Sequence, residues 1–291
     1  MTLLLPMPGN EALAQALVPH GFEIAASEMR RFPDGETYLR FLGDLQDRSL
    51  AILCTLVRPD DKFLGLAFAA ATARELGAAR VGLIAPYLAY MRQDRRFKPG
   101  EAVTSRPFAH LLSQGFDWMV TVDPHLHRYG SLSEIYTIPT RVVHAAPLIS
   151  AWIRANVPQP LVIGPDSESQ QWVSAVAADC GAPYTVLEKV RHGDRDVEIK
   201  VKDLGAWRGR TAVLVDDIIS SGRTMIAAVR QLAAAGFAAP VCIGVHGLFA
   251  DGSDRLLQEA GAHVVTSDTV PHPTNALSVA PLLAEAVRAL A

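Results

Sequence analysis

The stretch AVLVDDIISSGRTM, residues 212–225, decides how the chain is read. A short apolar run stops at two adjacent acids, Asp216 and Asp217, and passes through small hydroxyl residues and a glycine into TMIAAVRQLAAAG (224–236), whose apolar residues recur at helical spacing. An apolar run bounded in this way is a buried strand of a parallel sheet, and the loops at the carboxyl ends of such strands are where open α/β sheets bind ligands. Ser220, Ser221, Gly222, Arg223 and Thr224 put backbone N–H groups and hydroxyls at a helix N-terminus, which makes a phosphate cradle. Adjacent carboxylates accept hydrogen bonds from vicinal hydroxyls, so the complementary ligand is a sugar phosphate. A plain strand followed by an N-capped helix explains a serine or threonine near the helix start but not the paired acids.

Working outward, β-rich apolar runs alternate with Ala/Leu-rich segments of helical period, the pattern of βαβ units. Strands are expected at 49–57, 80–88 and 118–123, with a helix over 64–77 that Gly77 ends. Further on, strands are expected at 161–166, 183–190, 210–217, 239–249 and 262–268, and helices at 169–181 and 224–236. Each half holds a strand ending in a polar turn, a helix, a second strand ending in a charged loop and a third ending in an acid. WMVTVDPHLHRYG (118–130) and AVLVDDIISSGRT (212–224) are taken as the corresponding third strands. One domain used twice is the expected organisation, with units over 1–142 and 143–291 and a crossover near PTRVVHAAPLISAW (139–152).

The 291 residues are 49% hydrophobic and 20% charged with a formal net charge of -3, a globular composition that offers nothing for a polyanion. Binding to nucleic acid is therefore not expected. No apolar run reaches the ~18 residues of a membrane span, and MTLLLPMPGNEAL lacks the basic start of a signal peptide, so a cytoplasmic protein without membrane contact is expected. Cys54, Cys180 and Cys242 are scattered in apolar surroundings without metal or disulfide spacing and read as buried free thiols.

The 212–225 stretch resembles the phosphoribosyl-pyrophosphate (PRPP) loop of the type I phosphoribosyltransferase fold: hydrophobics, Asp-Asp, two spacers, two small hydroxyl residues, Gly, one residue and Thr. Five further segments follow the order of the ribose-phosphate diphosphokinases, the PRPP synthases. RFPDGETYLR (31–40) resembles the segment that holds adenine across a subunit boundary; by position Phe32 stacks on the base and Asp34 and Glu36 accept from it. Taken by itself, Pro-Asp-Gly is a turn between strands. PYLAYMRQDRRFKPGEAVTSRPFAHLL (86–112) resembles the second ATP segment, with Arg92, Gln93 and Asp94 as the Arg-Gln-Asp triplet and Arg95, Arg96 and Lys98 completing a basic cluster suited to polyphosphate.

VTVDPHLHRYG (120–130) puts Asp123 and His125 where the family places a magnesium ion bridging ATP phosphates. Mg²⁺ prefers oxygen ligands, so the histidine acts through a water or on phosphate; His127 is its rival, and Asp-X-His-X-His also leaves a transition-metal reading open. VIGPDSESQQW (162–172) resembles the pyrophosphate loop, with Asp166 as its acid and metal ligand, but Ser167, Glu168 and Ser169 stand where the family has glycine-containing residues. VLEKVRHGDRDVEI (186–199) carries Lys189 and Arg191 where the family stabilises the transferring diphosphoryl group.

The resemblance implies two phosphoribosyltransferase-like α/β domains, each a mainly parallel sheet flanked by helices, and wording such as VDPH and LEKVR resembles the compact archaeal-type synthases more than the longer bacterial and mammalian ones. It implies an ATP-binding transferase of nucleotide biosynthesis: Mg²⁺-ATP and ribose 5-phosphate give PRPP and AMP, in a homo-oligomer. A transferase that consumes PRPP shares the 212–225 loop but needs neither the 31–40 nor the 86–98 segment. A non-catalytic regulatory homologue is the other alternative.

Overall fold

A computed structural model describes residues 2–165, 169–192, 196–200 and 204–290. The chain divides into two compact units, one of residues up to His144 together with the segment from Ala280 onward, the other Ala145–Val279.

In the first unit the order is β1 (Thr2–Pro6), α1 (Glu11–Leu17), β2 (Phe22–Ile24), β3 (Ser27–Arg31), β4 (Thr37–Phe41), β5 (Ser49–Leu53), α2 (Asp60–Glu75), β6 (Arg80–Ala85), α3 (Ser105–Gly115), β7 (Trp118–Val122) and β8 (Thr140–Val143). Six of these strands form a parallel sheet in the order β2-β1-β5-β6-β7-β8, while β3 and β4 pair antiparallel as a separate hairpin. The central strands are mostly apolar, as a sheet covered on both faces requires; every residue of β7 is buried. Gly82 of β6 sits opposite Trp118 of β7, and a Cβ there would lie 1.9 Å from the indole. Only glycine lets that fully buried ring lie flat on the neighbouring strand.

The second unit runs α4 (Ala146–Asn156), β9 (Pro160–Gly164), α5 (Gln170–Cys180), β10 (Tyr184–Val186), β11 (Glu188–His192), β12 (Asp196–Lys200), β13 (Thr211–Ile219), α6 (Arg223–Ala234), β14 (Val241–Gly247), α7 (Ser253–Glu259), β15 (His263–Ser267) and β16 (Asn275–Leu277). Its sheet order is β10-β9-β13-β14-β15-β16, and β11 and β12 form an antiparallel hairpin. Numbered within each unit, both sheets read second, first, third, fourth, fifth, sixth, and each inserts its hairpin between the second and third sheet strands. The last helix, α8 (Ala280–Arg288), groups with the first unit.

Several expectations need correction. The 118–123 strand is the fifth of its sheet and β13 is the third of its own, so β13 corresponds to β5, and β7 corresponds to β15. The miscount has a physical source: TLLLP of β1 and FEI of β2 are too short to show a period. The 183–190 run is two strands, β10 in the sheet and β11 in the hairpin, and the 139–152 crossover contains β8 and the start of α4. The expected second unit ran to residue 291, whereas α8 buries Leu283, Ala284 and Val287 within the first unit. Cys54 and Cys242 are buried as expected, but Cys180 at the end of α5 is half-buried.

Candidate active site

In the second unit β13 delivers Asp216 and Asp217 to the carboxyl edge of the sheet, with Asp216 in register with Gly244 of β14. Both acids are half-buried, and Asp216 Oδ1 accepts from its neighbour's backbone N–H at 3.0 Å. Beyond them the chain is strapped from one side. Ile219 O accepts from Leu248 N and Phe249 N at 2.9 and 3.1 Å, and Ser220 O accepts from Ala250 N at 3.0 Å and Ser253 Oγ at 2.8 Å. Gly222 then turns into α6 with φ 64, the left-handed region, and a Cβ there would meet Ser253 Cβ at 2.9 Å. The helix starts without a side-chain cap, so its first-turn N–H groups, which have no intrahelical partner, are left for the loop and a ligand. Ser220, Ser221 and Thr224 are half-buried around this turn and Arg223 is exposed. The five residues expected to hold a phosphate are thus brought together at one strand-to-helix turn, with both acids immediately before it.

Lys189 and Arg191 lie on β11, opposite Ile199 and Val197 of β12, and β12 runs against α6. Their side chains are outside the described residues, as is all of Asp166 together with Ser167 and Glu168.

In the first unit the 31–40 segment is the β3–β4 hairpin. Its turn is closed by Phe32 N to Glu36 O at 2.8 Å, by Gly35 N to Phe32 O at 2.9 Å and by Glu36 N to Asp34 Oδ1 at 3.2 Å. Phe32 is 39% exposed, and Asp34 and Glu36 are exposed beside it. The Arg30 guanidinium lies 4.7 Å from the Phe32 ring centre and 4.2 Å from that of Tyr38, joining the two rings. Sequence reasoning missed Arg30 and Tyr38, although the alternation of a hairpin puts residues 30, 32 and 38 within reach of each other.

The loop after β6 carries Arg92, exposed, Gln93, half-buried, and Asp94, buried. Thr104 Oγ1 donates to Gln93 Oε1 at 3.1 Å. Arg128 holds Asp94, with Nη1 at 3.0 and 3.1 Å from the two carboxylate oxygens. The Glu101 carboxylate accepts from Phe97 N and Lys98 N at 2.8 and 3.0 Å, which holds its pKa below the usual carboxylate range.

At the end of β7, Asp123 adopts φ 31 and its Oδ1 is 2.8 Å from His144 Nδ1; that contact raises the pKa of His144. The rings of His125 and His127 meet edge to face at 3.8 Å. Among the described residues no group of three or more His, Cys, Asp or Glu is placed to hold a metal ion. A carboxylate at a strand end does suit Mg²⁺, which takes one or two protein carboxylates and fills its other positions with water and substrate phosphate. Arg128 and His144 were also not foreseen: Arg128 meets Asp94 from 34 residues away, and His144 follows β8, the strand next to the one that ends before Asp123.

Residues 131–282 match the phosphoribosyl transferase domain model, and residues 2–115 match the model of the N-terminal domain of ribose phosphate pyrophosphokinase. The ribose-phosphate pyrophosphokinase of Methanopyrus kandleri is 39% identical over 92% of each chain. That of Saccharolobus solfataricus is 34% identical over 87% of this chain and 86% of its own. The crystal structure of phosphoribosylpyrophosphate synthetase from Mycobacterium smegmatis superposes with a TM-score of 0.86 at 26% identity, covering 100% of this chain and 99% of that one. With both halves matched in order and with relatives of equal length, the chain belongs to the ribose-phosphate pyrophosphokinase family.

Proposed function

We infer that this chain is a ribose-phosphate diphosphokinase: it transfers the β,γ-diphosphoryl group of ATP to the 1-hydroxyl of ribose 5-phosphate, giving PRPP and AMP. The observation that carries the reading is the turn at 216–224, where paired acids at a strand's end run into the left-handed Gly222 and an uncapped helix start. Asp216 and Asp217 accept from the ribose hydroxyls, and residues 220 to 224 hold the 5-phosphate. The anomeric oxygen then attacks the β-phosphorus, the bond to the α-phosphate oxygen breaks, and the hydroxyl proton is lost to solvent as AMP departs.

Phe32, Asp34 and Glu36 are assigned to the adenine, and Arg92, Gln93 and His125 to the phosphates. The exposure of Phe32 on a hairpin supports a homo-oligomer in which this ring serves a neighbouring copy. Asp123 would hold Mg²⁺, with Asp166 as the second acid; when bound, the ion neutralises charge on the β- and γ-phosphate oxygens. Lys189 and Arg191 stabilise the transferring group, the main task of protein groups in phosphoryl chemistry. Among the described residues no helix is long and apolar enough to cross a membrane. ATP as donor and three unpaired thiols fit a reducing cytoplasm.

Incubation with ribose 5-phosphate, Mg²⁺ and ATP labelled at the β-phosphate tests the reading. Label in PRPP supports it; base-dependent loss of added PRPP points to a consuming transferase, and no chemistry to a regulatory homologue. Lys189→Ala should lower kcat by about 10²-fold or more while substrate binding changes little, as for removal of one preorganised charge donor. A normal kcat in that variant would remove Lys189 from the mechanism.

A further inference from the structure

We propose that Asp94 and Arg128 are positioning residues, an ionic clamp buried on its carboxylate side that sets the distance between two ATP-facing loops, and that Asp94 does not itself touch the nucleotide. The proposal rests on the assignment of Arg92, Gln93, Asp123 and His125 to ATP and its metal. Those four residues sit on the carboxyl-end loops of β6 and β7, which are neighbours in the sheet. Asp94 follows the first pair directly, and Arg128 follows the second pair by three residues.

Asp94 lies within a run of cations, Arg92, Arg95, Arg96 and Lys98, yet it is turned inward and only 7% exposed. Its carboxylate is spent on Arg128, whose Nη1 lies 3.0 and 3.1 Å from its two oxygens. Tyr129 reinforces the joint from the same loop: its hydroxyl donates to Asp94 O at 3.4 Å and meets Ser105 Oγ at 2.9 Å. Ser105 is buried and opens α3, and Thr104, just before it, fixes the Gln93 amide. Arg128 also lies 5.8 Å from the centre of the Phe97 ring, which Arg95 covers at 4.8 Å. Gln93 and Asp94 are therefore held from the β7 loop and from the α3 start together, while the side chain of Arg128 remains 43% exposed.

The clamp has an energetic asymmetry. A buried carboxylate left without its cation is costly, whereas a neutral amide in its place is not. Removing Arg128 therefore pushes Asp94 outward and drags Arg92 and Gln93 with it, and a displacement of that kind lowers binding without touching the ligand directly.

The test is a double-mutant cycle of Asp94→Asn, Arg128→Ala and the two together, with Arg128→Lys as a milder variant in case the alanine protein does not fold. Each protein is assayed with ATP and ribose 5-phosphate varied in turn, and titrated calorimetrically with ATP and Mg²⁺. Arg128→Ala is expected to raise KM for ATP by about tenfold, the size of a contacting-pair coupling, with KM for ribose 5-phosphate within about twofold of the parent. Arg128→Lys should fall between the two, and adding Asp94→Asn to Arg128→Ala should worsen ATP binding no further. Effects that multiply across the cycle would mean that Asp94 contacts the nucleotide in its own right. A lower melting temperature with unchanged ATP binding would reduce the pair to a stability element. The calorimetry tests the clamp without turnover, so a parent protein that formed no PRPP would overturn the functional reading separately.

Discussion

Asp216 and Asp217 are adjacent on one strand and yet differently employed. Asp216 spends one oxygen on the backbone N–H that follows it, which stiffens the strand end, while Asp217 stands one residue nearer the turn. Replacing Asp217 with alanine leaves the Asp216 bond in place and tests the assignment of Asp217 to the ribose hydroxyls. We expect KM for ribose 5-phosphate to rise by about tenfold or more, the worth of a hydrogen bond to a charged group, and KM for ATP to move less. The opposite order would mean that the two subsites are interchanged. The thiols allow a second check at this scale. Burial pushes the Cys54 pKa up to about 11 and that of Cys242 up to about 12, and both are fully enclosed, so neither presents a thiolate at neutral pH. Half-buried Cys180 remains, and a native titration with a chromogenic disulfide should count at most one thiol, rising to three on denaturation. The acids and hydroxyls of 216–224 were legible because their chemistry is local in sequence. Arg128, His144 and Ser253 were not, because each acts on a residue that only the sheet brings near: Asp94, Asp123 and Ser220.

At the scale of elements, two antiparallel hairpins carry functional candidates out of otherwise parallel units: β3–β4 with Phe32, and β11–β12 with Lys189 and Arg191. Both enter at the same topological position, which the sequence does not announce, since β2 ahead of the first hairpin is too short to show a period and the 183–190 run merges β10 with the first strand of the second. The turn of the first hairpin was visible in Pro-Asp-Gly, but the role of its framework was not. Arg30 lies against both Phe32 and Tyr38, whose rings also meet edge to face at 5.9 Å, so it helps to fix the orientation of an exposed ring. Arg30→Ala should raise KM for ATP by about three- to tenfold, as loss of two exposed cation–π contacts allows, and Arg30→Lys should recover part of it. KM for ribose 5-phosphate, whose cradle is on another unit, should stay at the parent value. An ATP KM that does not move would show that Phe32 needs no such support or does not meet the base.

At the scale of the whole molecule the duplication is most explicit where each sheet ends. His144 follows β8 and bonds Asp123, which follows β7; Ser278 follows β16 and donates to Asp268, which follows β15, at 2.8 Å. The sequences after the two sixth strands run in parallel, HAAPLI at 144–149 and SVAPLL at 278–283, and both open a helix. Neither helix stays with the sheet it follows. α4 groups with Ala145–Val279 and packs on α5 and β16, while α8 groups with the first unit and packs on α1, β7 and β8. An amphipathic stripe states that a helix is covered but not by what, which is why the expected division at 142/143 misplaced the last segment. The exchange makes a spatially resolved prediction. Leu283 is fully buried, so Leu283→Ala should cost about 2–5 kcal/mol, read as a lower denaturation midpoint. Because proteins open in cooperative local units, hydrogen exchange in this variant should speed up in α1, β7 and β8, at the far end of the chain from the substitution or in its middle, before β13–β15 respond. Ile149→Ala on α4, also fully buried, should do the reverse, loosening α5 and β16 first. Were Leu283→Ala to release β15 and β16 ahead of α1, the last helix would belong to the unit that precedes it in sequence.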